Sequence, residues 1–221
     1  MPQVFYQVYI IHGSTNWHTV PLVNMLLPGK TETIYRTAFS ALFQLLKDRD
    51  ASFCPNVDFE KVVIIVLSEL LPDIKVICCR FHSGQALYRN ICRLGLSQNY
   101  QDSQSETGAW LRPFFALPYL DPSEVEDSFC FDMMPDVPED PKCQEFAEYV
   151  FQTFVSPESV FPPKLWTQKP SQEIRTTNAA EAFHRHLNEN FASKHPNIFT
   201  FTEAIKREQA MTTVKLKKKP G

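Results

Sequence analysis

Apolar and polar positions first fall into two dense strand-like blocks. Val4-Phe5-Tyr6-Gln7-Val8-Tyr9-Ile10-Ile11 is rich in aromatic and β-branched residues and holds no helix breaker. Gly13 to Asn16 predict a turn, and Val20 to Leu27 a second strand closed by Pro28-Gly29. Strands this close in sequence pair most economically as an antiparallel hairpin. The pattern then changes period. Thr31-Glu32-Thr33 opens a helix in which Tyr35, Phe39, Leu42 and Leu46 recur on one face. A short strand ends near Val57. A helix follows through Val62, Ile65, Val66, Glu69 and Leu70 to the Leu71-Pro72 boundary. Lys75 to Cys79 form another short strand, and a helix from His82 runs to Leu94, where Gly95 stops it. This alternation points to an α/β sheet layer.

After about residue 97 the texture is helical and interrupted. Ten of the 17 prolines fall between Pro113 and Pro170. Short helical pieces are expected over 110–117, 122–131 and 144–154, with Cys143, Phe146, Ala147, Val150 and Phe154 on one face of the last. Proline-marked joints of this kind read as a helical insertion. A long helix is expected from Asn178 to about Asn190. A second restarts at Pro196, and the lysine-rich end is expected to be flexible.

Composition narrows the classes. With 221 residues, the chain allows one domain, or one domain carrying a large insertion. Six glycines, without GxGxxG or a P-loop pattern, argue against a glycine-rich phosphate cradle. The longest apolar run, Val62 to Leu67, is far below a membrane span, so no membrane association is expected. No secretory signal opens the chain, and six cysteines in this length do not make a disulfide scaffold, so a cytosolic or nuclear setting is the default. Net charge is −3, unevenly spread: 121–141 carries eight acids and no Lys or Arg, whereas the stretch from Arg175 carries nine Lys or Arg against four acids. The basic end suits a phosphate-facing surface or, equally, a solvated one.

Few residues stand out as candidate chemistry. Asp58 follows a buried strand, where an α/β sheet exposes ligand-binding side chains. As a preferred helix cap it has an equally ordinary reading. Glu181 closes an Asn178-Ala179-Ala180-Glu181 capping-box pattern, and it also stands where a carboxylate could meet Asp58. Cys79-Arg80-Phe81-His82 is a CxxH spacing, two of the four donors that zinc wants. His184, three residues after Glu181, shares its helix face. Cys79 beside His82 could act as a nucleophile, but the local sequence supplies no third, orienting group. Trp110 and Trp166 either stack on an unpaired base or fill a small helical core.

Together these stretches resemble the MULE transposase domain, the catalytic region of Mutator-like elements. The resemblance is carried by Gln7 to Gly13, Val20-Pro21-Leu22-Val23, Leu26-Leu27-Pro28, Lys30-Thr31-Glu32-Thr33 with Tyr35, and Asp58-Phe59-Glu60-Lys61. It continues through Cys79-Arg80-Phe81-His82 with Gln85-Ala86, Ala116-Leu117-Pro118, Phe161-Pro162-Pro163 and Leu165-Trp166. It ends on Arg175-Thr176-Thr177-Asn178 with Glu181 and His184, and on His195-Pro196-Asn197-Ile198.

The resemblance implies an α/β fold with an RNase H-like mixed sheet, flanking helices and an all-α insertion before the last core helix. It divides the chain into a first core part at 1–96, the insertion at 97–174, C-terminal core helices at 175–213 and a basic tail at 214–221. It implies a DDE-type site for DNA cleavage and strand transfer, with Asp58 as the second Asp and Glu181 as the Glu, binding Mg²⁺ or Mn²⁺. Cys79 and His82 match the family's CxxH, and zinc there, with His184 as a further donor, stays open. DNA is the implied partner and the nucleus the implied location, with oligomerisation left open. The family's first Asp has no counterpart, since the earliest acid is Glu32. The expectation is therefore a truncated copy or incomplete gene product, inactive alone because two carboxylates hold paired cations poorly. The alternative is a non-catalytic, transposase-derived DNA- or protein-binding protein.

Overall fold

The computed structural model describes residues 5–15, 18–47, 55–167, 178–191 and 196–217, with backbone alone at 14, 15, 18, 178, 179, 181, 215 and 217. The chain is mixed α/β and mostly helical. It divides into two compact units. One comprises Met1–Phe53, Ile65–Pro72 and Thr177–Gly221, and the other Cys54–Ile64 and Asp73–Thr176. The stretch expected as an insertion, 97–174, thus shares a unit with the strands and helix that precede it.

In the first unit, β1 (Gln7–Thr15) and β2 (His18–Leu27) form the expected antiparallel hairpin. The register slips between Ile11 and His12: Ile11 faces Val23, whereas His12 faces Pro21. Leu22 is the extra residue of this β-bulge. Proline has no N–H to give to a ladder, so bulges are where strands tolerate it.

Helix α1 (Glu32–Leu46) lays its stripe on this hairpin, burying Tyr35 and Phe39. Tyr9 meets both rings edge-on, at centroid distances of 5.7 and 5.5 Å. The buried Tyr35 hydroxyl accepts a 2.7 Å bond from Gln7 Nε2, so its polar atom is satisfied. Arg36, on the outer face, joins Glu32 to Glu69.

The second unit opens with β3 (Asn56–Val57) and the first turn of α2 (Lys61–Leu70), whose remainder from Ile65 belongs to the first unit, and resumes with β4 (Ile77–Cys78). β3 and β4 are parallel, pairing Asn56 with Ile77 and Val57 with Cys78. Among the described residues these strands and the hairpin make two separate two-stranded sheets. Helix α3 (Arg80–Arg93) follows β4 at once. Its end is closed by Gly95 at φ 74°, a left-handed geometry that glycine adopts without steric cost. Gly95 N–H bonds Cys92 O at 3.0 Å and Leu96 N–H bonds Ile91 O at 2.9 Å, satisfying two terminal carbonyls.

Proline and capping residues then set the breaks. Helix α4 (Ser97–Gln101) is short. Helix α5 (Glu106–Leu111) is capped by Ser105, whose hydroxyl accepts Gly108 N–H. A 3₁₀ segment (Arg112–Tyr119) holds Pro113 and Pro118, which remove N–H donors from a regular α ladder. Helix α6 (Val125–Asp127) runs into a π-turn (Ser128–Met133). Helix α7 (Pro141–Val150), with Asp140 as cap and Pro141 in its first turn, runs into another (Phe151–Val155).

The core of this unit is aromatic. Phe114, Phe146, Phe129, Trp110, Phe154 and Trp166 are all buried, and Trp110, Phe114 and Phe146 meet edge-on. Trp110 Nε1–H donates to Met133 O at 2.8 Å, and Trp166 Nε1–H to Phe161 O at 2.9 Å. Both indoles are therefore core residues and offer no face to a nucleobase.

The first unit is completed by α8 (Asn178–Glu189) and α9 (Ile198–Lys217), which pack on β2. Helix α9 passes the boundary expected at 214. Between Ala210 and Lys217 there is no glycine or proline, and Met, Lys and Leu favour helix. Residues 218–221, the rest of the expected tail, lie outside the described residues. Among those that are described, no helix is long and apolar enough to cross a membrane.

Candidate functional site

Parallel pairing of β3 with β4 brings two chain segments to one edge. Cys79 N–H, just past β4, bonds Val57 O at 2.8 Å, extending the ladder to the point where Asp58 leaves it. Cys79 is then the N-cap of α3, in extended geometry, and its carbonyl accepts His82 N–H at 3.1 Å and Ser83 N–H at 3.2 Å. This strand-to-helix step places His82 in the first turn of α3. Its Nδ1 lies 3.0 Å from Asp58 Oδ1.

Asp58 is not a helix cap here. Helix α2 starts three residues later, at Lys61, and Glu60 N–H bonds the Asp58 carbonyl at 2.7 Å. The carboxylate turns to the imidazole instead. The hydrogen bond to Asp58, helped by one with Cys79, raises His82 to about 10 against the opposing effect of burial. At neutral pH His82 is an imidazolium.

Cys79, His82 and Asp58 therefore form a continuous set, and Asp58 is the third group that local sequence does not show. The set is not a ready nucleophile. Cys79 has no exposed surface, so a substrate cannot reach its sulfur. Cys78 is further from reactivity, because burial, with the neighbouring Cys79 and Asp58, pushes its thiol up to about 12.

The other sequence candidates belong to the first unit. Asn178 and Glu181 are on α8, but their side chains, and hence the capping-box reading, lie outside the described residues. His184 is exposed on α8 and stands beside His12, with ring centroids 6.0 Å apart. Sequence reasoning passed over His12. The available signal was a single imidazole inside an otherwise apolar strand, next to a glycine. Its Nδ1 and Nε2 are buried without hydrogen-bond partners, and Phe183 packs edge-on against it at 5.3 Å. Burial, reinforced by His184, lowers His12 to about 4, so it is neutral.

A divalent cation can be tested against Asp58 directly. Its side chain is 62% exposed, so it is accessible, but one oxygen already faces an imidazolium. An incoming Mg²⁺ would compete with that charge and find one unshared oxygen. Asp58 fits a single, one-oxygen ligand and does not fit a bridge between paired ions. Among the described residues no three His, Cys, Asp or Glu gather as a metal site.

Comparison with models of known protein families, with curated proteins and with solved structures finds no match.

Proposed function

We propose that the chain is part of a Mutator-like transposase-derived protein with an RNase H-like core, acting on DNA in the nucleus. The observation that supports this reading is the place of Asp58. It is an accessible carboxylate at the carboxyl end of a parallel strand, three residues before a helix, where α/β folds bind ligands. In this reading Asp58 is a carboxylate of a DDE-type site, and a bound Mg²⁺ or Mn²⁺ would supply Lewis-acid activation of phosphodiester oxygens. Exposed Arg185, Lys206 and Arg207 would face the phosphates.

The Asp58–His82 pair favours the non-catalytic form of this reading for the chain as it stands. An imidazolium at the carboxylate occupies the position that a cation would take. Residues 1–221 are expected to bind DNA with steep salt dependence and not to cut it.

The test is DNA binding and nicking by the purified protein in Mg²⁺ and Mn²⁺, with Asp58→Asn beside it. Salt-sensitive binding unchanged in the variant, without nicking, supports the proposal. Metal-dependent nicking lost in Asp58→Asn would restore catalysis, and the absence of DNA binding would remove the proposal altogether.

A further inference from the structure

We propose that His12 and His184 form a two-imidazole site for a borderline divalent cation, Zn²⁺ in the first instance, with water completing the coordination. The proposal is independent of the DNA reading.

Three observations carry it. First, His12 is a half-buried residue whose ring nitrogens are both enclosed without a hydrogen-bond partner. Such groups carry a desolvation cost, which a bound ion or an ordered water removes.

Second, the spacing fits. Zn–N bonds of about 2.0–2.1 Å put the ring centroids of two histidines on one zinc roughly 5–6.5 Å apart, from the tetrahedral to the linear arrangement. The centroids of His12 and His184 are 6.0 Å apart, with planes inclined by 60°.

Third, His12 sits at an irregularity of the hairpin ladder. The β-bulge falls between Ile11 and His12, opposite Pro21, and bulges redirect side chains beside sites. Phe183 packs edge-on against the imidazole, and His184 beside it is exposed to solvent. Imidazole donors select a borderline ion over Mg²⁺, which wants oxygen.

The experiment is titration of the full 221-residue chain with Zn²⁺ against a chromogenic zinc indicator. Imidazole NMR resonances are followed in parallel. One ion per chain is expected, moving both the His12 and the His184 ring signals. His184→Ala, an exposed change that leaves far-UV circular dichroism unaltered, should weaken binding at least about 10-fold, since even outer-shell losses cost that much. His12→Asn should do the same. If that variant fails to fold, the wild-type His12 resonance and His184→Ala decide the matter. A Cys79→Ser/His82→Asn double variant should bind as wild type. Lack of binding, or wild-type affinity in His184→Ala, would overturn the site. Loss in the Cys79/His82 variant alone would do so too, by locating zinc at the CxxH pair.

Discussion

His82 Nδ1 and Asp58 Oδ1, 3.0 Å apart, join the first turn of α3 to the end of β3. They are 24 positions apart in the chain, and parallel strand pairing alone makes them neighbours. The relationship turns a candidate metal ligand into half of an ion pair, and it has a measurable pH signature.

His82 is held protonated to about 10, against an ordinary value of 6.5. A raised imidazole stabilises the fold fully below about pH 6.5 and loses that contribution as pH climbs through 10. The urea midpoint of wild type should therefore exceed that of His82→Gln at pH 6, with the gap closing toward pH 10. Asp58→Asn should bring the His82 ring titration down toward the ordinary range. Because Asp58 is largely exposed, 1 M salt should shrink the effect. A ring titrating near 6.5 in wild type would contradict the pairing.

Two glycines should respond differently to alanine. A Cβ on Gly108 would stand 2.1 Å from the Asn99 carbonyl oxygen, a backbone atom, whereas one on Gly13 would meet the end of the Leu22 side chain at 2.3 Å. Leu22 is 56% exposed and can swing away. Gly108→Ala should destabilise by about 1–3 kcal/mol, the range for forced overpacking, and Gly13→Ala by clearly less. Denaturant melts of the two variants check this, and equal midpoints would contradict it.

Trp110→Phe keeps an aromatic ring in the core but removes the donor to Met133 O. The orphaned buried carbonyl should cost roughly 1–3 kcal/mol. The same measurement on Tyr119→Phe, at a half-exposed ring, should show little change.

Much of the fold is legible in the sequence because local chemistry determines it. The hairpin follows from its two apolar blocks, α1 from the Tyr35–Phe39 spacing, and the end of α3 from Gly95. The candidate site is less legible. Capping propensity assigns Asp58 to the next helix, and only the non-local pairing of Val57 with Cys78 reveals its bond to His82. His12 was hidden for a similar reason. Strand alternation treats it as one more position, and the slip in register beside it appears only in the pairing with β2. The indoles stayed ambiguous because their carbonyl partners, Met133 and Phe161, lie in irregular segments that no periodicity marks.

The buried indoles also make the helical unit self-reporting. Two of the chain's three tryptophans, Trp110 and Trp166, lie in it, enclosed by apolar rings. Loss of that enclosure would shift their emission to the red, giving an optical readout of when this half of the polypeptide loosens, with no label attached.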